Sequence, residues 1–99
     1  MTLSYKLHKT ENDVLLAIAD RAIVGKSFSD NSFDLSVSKE FYGEAAADEQ
    51  AIISLAKSAT IINAIGEESI ALLKKNKLVS EREIRMICGL PHAQIFSIS

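Results

Sequence analysis

His92 is the side chain best able to do chemistry, because an imidazole that titrates near 6.5 can move a proton or bind a metal. It follows Pro91, and the pair reads as a rigid bend presenting the ring. The plain alternative is a turn histidine bonded to nearby backbone. Asn63 is the second candidate. It falls inside an otherwise apolar helical stripe, and a buried amide must be hydrogen-bonded or costs roughly 1–3 kcal/mol. Either it ties a corner of the chain to a neighbouring loop, or it faces a pocket. Tyr42 and Glu44 flank Gly43, whose missing Cβ allows close backbone approach, to the protein itself or to a ligand.

Other candidates have simpler readings. Asp20 reads as the cap of a short helical turn through Ile23 and Val24. His8, on the polar side of a strand, reads as solvated. Cys88 has no evident partner to lower its pKa and reads as a buried thiol. Lys74, Lys75, Lys77, Arg82 and Arg85 form the densest basic stretch. They could line one surface and contact phosphates. No aromatic set is interleaved with them for base stacking. A solvated face complementing a helix dipole is the plain reading. No phosphate-binding glycine loop, Ser/His/Asp motif or spaced metal cluster occurs, so neither cofactor nor metal is expected.

The elements positioning these residues follow from hydrophobic period. Ile52, Leu55, Ala56, Ala59 and Ile62 recur at spacings of three and four, one face of a helix. Asp48 and Glu49 favour its first turn. Gly66 suits the end of that helix and the N-cap of another, with Glu67 and Glu68 first and the lysines last. The reading is two helices over Asp48–Asn76 meeting at Gly66. Around them, Leu3, Tyr5 and Leu7 alternate with polar residues, and Val14–Ala19 is apolar throughout, so both predict strands. Phe33, Leu35 and Val37 predict another. Lys39–Glu44 reads as a loop, and Ser80-Glu-Arg-Glu as a capping box for one turn. Ile84–Cys88 and Ala93–Ile98 read as strands joined through Gly89–His92. The fold expected is α+β: a mainly antiparallel sheet of about five strands, with two helices packed on one face.

Ninety-nine residues suit a single domain over 1–99. Net charge −2 gives no global attraction to nucleic acid or anionic membrane, though a patch could. One cysteine excludes an internal disulfide and points to a reducing, cytoplasmic compartment. No signal-peptide core or membrane-length apolar run is present.

Three pieces, Glu40–Glu44, Ala59–Glu67 and Gly89–Gln94, stand in an order that resembles a small archaeal family known as domain of unknown function 424. Gly89-Leu90-Pro91-His92-Ala93-Gln94 is the most specific of them. Cys88 stands where a second glycine is expected. The resemblance covers nearly the whole chain and carries no activity over to named residues. It implies an archaeal, cytoplasmic setting and a connection to translation or RNA through gene company. The expected function is a non-enzymatic binding or assembly module, with protein or RNA of the translation apparatus as partner. The alternatives are a small enzyme using His92 with a carboxylate such as Asp20 or Glu44, and a homo-oligomer pairing through Ala93–Ile98. Pro91, His92, Asn63 and the Tyr42–Glu44 loop are expected to converge on one site.

Overall fold

The chain opens with a hairpin of β1 (Leu3–Lys9) and β2 (Val14–Asp20), closed where Thr10 N donates to Asp13 O at 2.9 Å. The computed structural model describes residues 3–96. After a 3-10 turn (Arg21–Ile23) come β3 (Ser27–Ser29) and β4 (Asp34–Ser36), a separate antiparallel ribbon. One helical turn, α1 (Lys39–Tyr42), precedes β5 (Ala45–Ala47) and α2 (Glu49–Ser58). Then follow β6 (Ile61–Ile65), α3 (Glu67–Lys75), a 3-10 turn (Glu81–Glu83), β7 (Ile84–Ile87) and β8 (Leu90–Phe96). The last expected strand ran to Ile98, and its final two residues lie outside those described.

The main sheet runs β5-β1-β2-β6-β8-β7. It is mainly antiparallel, and β2–β6 is a parallel pair. Parallel neighbours need a crossover, which the segment from Arg21 to Thr60 supplies. The fold is thus α+β, with six strands where about five were expected, and with a helical turn where Lys39–Glu44 reads as a loop. Ser38 caps that turn, its Oγ accepting from Phe41 N at 3.1 Å. Among the described residues no helix is long and apolar enough to cross a membrane.

The two-helix reading of Asp48–Asn76 needs correction, because β6 separates α2 from α3. Helix α2 begins as expected, with Asp48 Oδ1 accepting from Ala51 N at 2.8 Å. It ends at Ser58, and Thr60 then locks the chain to β2. Val14 N donates to Thr60 Oγ1 at 2.9 Å, and Thr60 N donates to Val14 O at 2.8 Å. Ile61, Ile62 and Ile65 are β-branched and gain ladder partners on both sides, from β2 and β8. That pairing outweighs a weak local helix propensity. Ile62 continues the helical spacing by coincidence, being buried from a strand instead.

Strand alternation divides the core into two layers. On one side Leu3, Leu16, Ile18, Ile62, Ala64 and Ala93 pack against Ile52 and Ala56 of α2 and Ile70 and Leu73 of α3. On the other side Ala17, Ala19 and Ile65 pack against Val37 and Tyr42, with Val24, Phe28, Phe41 and Leu90 around them. The two longer helices therefore share one face, and the segment from Ile23 to Tyr42 covers part of the opposite face.

The β7–β8 hairpin is tighter than the sequence suggested. Ile87 pairs with Leu90 across a two-residue loop, Cys88-Gly89, with φ of 51° and 80°. Two positive φ values define the turn that matches strand twist, which favours Asn-Gly or Gly-Gly. Cys88 fills the first position at a steric cost. Pro91 and His92 consequently lie within β8 and do not form a bend. Pro91 O accepts from Gly66 N at 2.9 Å, so the missing proline N–H points toward α3, beyond the end of β6, and costs the β7 ladder nothing.

Candidate functional site

Asn63 faces away from α2 and α3, because its neighbours Ile62 and Ala64 face toward them. Across the β6–β8 ladder it pairs with Gln94, and Ile65 pairs with His92. His92 is therefore the diagonal neighbour of Asn63, within reach of a ring. From the other side α1 delivers Tyr42 over β1 and β2. The Tyr42 hydroxyl donates to Asn63 Oδ1 at 2.8 Å, and His92 Nε2 lies 3.1 Å from the same oxygen. A carbonyl oxygen only accepts, so His92 carries its proton on Nε2. Burial holds the His92 imidazole below its ordinary 6.5, favouring the neutral ring that this geometry uses. Burial also pushes the Tyr42 phenol up to about 12.

The amide nitrogen of Asn63 is differently placed. It bonds to no described residue, and among the described residues no buried side-chain nitrogen or oxygen lacks a partner. It therefore meets solvent, as does Gln94 beside it.

The structure thus brings Tyr42, Asn63 and His92 together, and it leaves the proposed carboxylates elsewhere. Asp20 sits on the helix side of the sheet. Its Oδ2 accepts from Glu68 N at 3.0 Å, and its Oδ1 accepts from Ser69 N and Ser69 Oγ, each at 2.8 Å. It caps α3, and the 3-10 turn after it receives no side-chain cap from it. Gly66 makes this possible: at φ +111° a Cβ would lie 2.3 Å from the Asp20 carboxyl carbon. Glu44 is exposed, with its carboxylate 3.8 Å from Lys39 Nζ and its carbonyl accepting from Arg21 Nη1. Gly43 presses on the protein itself, since a Cβ there would lie 2.4 Å from Tyr5 O. Pro91 is buried and faces α3, opposite to His92.

The basic residues are divided. Lys74 pairs with Glu81, Lys75 closes α3, Lys77 follows with φ 59°, and Arg82 lies in the 3-10 turn. Arg85 pairs with His92 across the β7–β8 ladder and shares its face, away from α3. Lys74 and Lys75 instead border a groove of about 560 Å³ floored by Ile70, Ala71, Ile84 and Pro91. None of the Tyr42 cluster lines it. Among the described residues no group of three or more His, Cys, Asp or Glu is placed to hold a metal ion.

Four residues have more to do than the sequence suggested. His8 is not simply solvated: its Nε2 lies 2.7 Å from Phe41 O, and its ring stacks on Phe41 at 5.0 Å. Gln94 and Phe96 lie on the His92 side of β8, and Phe96 is 62% exposed. Alternation along Pro91–Phe96 is the signal that places them there. Cys88 Sγ lies 3.5 Å from Phe33 O and 3.7 Å from Phe28 O, at the tip of the ribbon. Desolvation and the nearby Asp30 and Asp34 raise its pKa, so it is a poor nucleophile.

Comparison with known proteins follows the same lines. A crystal structure of an uncharacterized conserved protein from Methanopyrus kandleri shares the fold at a TM-score of 0.83. Identity is 23%, over 97% of this chain and 91% of that one. No curated protein matches the chain. The family model described as "Protein of unknown function (DUF424)" matches residues 8–98, and the chain belongs to that family.

Proposed function

We propose that the chain is a non-enzymatic binding module, and that its contact surface is the part of the sheet that α1 leaves uncovered. One observation carries this reading. Tyr42 and His92 both spend their protons on Asn63 Oδ1, an arrangement that fixes the strip's shape and leaves the Asn63 amide donor facing outward. A neutral histidine whose one N–H is held by Asn63 serves positioning better than proton transfer. The enzyme alternative pairs His92 with Asp20 or Glu44, and both carboxylates are engaged elsewhere. The translation apparatus as the setting follows from the family resemblance.

Homo-oligomerisation through Ala93–Ile98 stands as a second reading, since β7 covers β8 only over Leu90–Ala93 and Gln94–Phe96 pair with β6 alone, leaving a short free edge. Capture from native lysate by tagged wild type and by Arg85→Glu tests the reading. Wild type is expected to retain a reproducible partner set that the variant loses, while both melt at the same temperature. Equal capture by both would contradict it.

A further inference from the structure

We infer that the uncovered strip binds single-stranded RNA, an inference that rests on the binding-module reading. Ladder register places His8, Leu15, Ile61 and Phe96 in one row across β1, β2, β6 and β8. At ~4.8 Å per strand the row spans roughly 14 Å, room for a few unstacked bases. Its two ends are aromatic: the Phe41 ring stacked on His8 at 5.0 Å, and Phe96, 62% exposed. Leu15 and Ile61 form a half-buried apolar floor between them. This is the aromatic set that is missing around the lysines in the sequence, and it is assembled from three distant stretches of chain.

The rows beside it add polarity and charge. Lys6, Asn63 and Gln94 share the next row, then His92 and Arg85. Register puts no carboxylate among the main-sheet side chains on this face, although the chain holds 13 acidic residues and has net charge −2. Asp30, Asp34 and Glu40 belong to the segment covering the rest of the face, and Lys6 Nζ donates to Glu40 O at 2.9 Å, so it is the open end around Arg85 that fits an anionic partner. Outward amides on Asn63 and Gln94 suit base edges. The Gln94 carbonyl and the second His92 nitrogen also offer acceptors for a ribose 2′-hydroxyl, which deoxyribose lacks. A duplex would hide its bases from Phe96. An acidic peptide matches the charge and gives the aromatics nothing to stack on, so it stands as the competing outcome.

Fluorescence anisotropy of a labelled single-stranded RNA octamer tests this. Wild type is expected to bind it with an affinity that falls steadily with salt. The deoxy octamer should bind more weakly, and the RNA duplex more weakly still. Phe96→Ala should weaken RNA binding roughly tenfold, Arg85→Glu should abolish it at moderate salt, and Lys57→Ala should leave it unchanged. Phe96 is exposed, so its variant should melt with wild type, and a thermal scan verifies that. Preference for duplex, DNA or polyglutamate, or an unaffected Phe96→Ala, would overturn the inference. If no octamer binds but Arg85→Glu still loses its lysate partners, the RNA assignment fails and the binding module stands. If lysate capture is equally insensitive, both fall.

Discussion

Asn63 and His92 are diagonal neighbours across the β6–β8 ladder, joined at 3.1 Å through one carbonyl oxygen that also receives the Tyr42 hydroxyl. Three stretches of chain, far apart in sequence, therefore share a single acceptor.

Tyr42→Phe removes the O–H donor and leaves Asn63 Oδ1 with His92. The expected loss is about 0.5–1.5 kcal/mol in urea unfolding. A loss above about 3 kcal/mol would mean that the hydroxyl supports more than this one bond.

Stability should depend on pH through His92. Its folded pKa lies below 6.5, so between the two values the unfolded chain binds more protons and stability rises with pH. The stabilising contribution is complete above about 6.5 and is lost as pH falls through the folded value. His92→Gln should flatten this segment relative to wild type in melts from pH 5 to 8. Parallel curves for the two proteins would exclude it.

Gly66→Ala should cost more than about 1 kcal/mol, from a Cβ at positive φ driven into the Asp20 carboxyl. The cost should shrink in an Asp20→Ala background, which itself loses about 1–3 kcal/mol by leaving the Glu68 and Ser69 amides without their acceptor. Additive losses would show that the two residues do not meet.

Ile62→Ala should cost about 2–5 kcal/mol and Lys57→Ala less than about 0.5 kcal/mol. Chemical denaturation separates them. Ile62 is 6% exposed, whereas Lys57 is exposed near the end of α2.

Cys88→Asn should raise stability by about 0.5–1 kcal/mol, because asparagine tolerates the left-handed conformation better than cysteine. A drop in melting temperature would show that the thiol's contacts with Phe28 and Phe33 outweigh the strain.

Much of the fold is written in local pattern. Alternation marks β1, the unbroken apolar run marks β2, and Asp48 marks the start of α2. What fails is where tertiary pairing decides. Ile61–Ile65 is equally compatible with a helix continuing from Ile52, and only β2 on one side and β8 on the other make it a strand. The same error turned Asn63 from a strand residue into a helical one, yet its polarity within an apolar run still singled it out. Asp20 shows the opposite failure. Its capping chemistry is legible, but its target lies 48 residues away at Glu68, and no local spacing points there. Phe96 and Gln94 became visible once β8 was known to begin at Leu90, which fixes their face by alternation.

The central claim is that the sheet face beside α1, not the helix face, meets the partner. Photo-crosslinking in native lysate addresses it directly, with a benzophenone amino acid placed at Gln94 or, on the helix side, at Lys57. Crosslinked partner from position 94 and none from position 57 is the predicted result. Crosslinks from position 57 alone would contradict it.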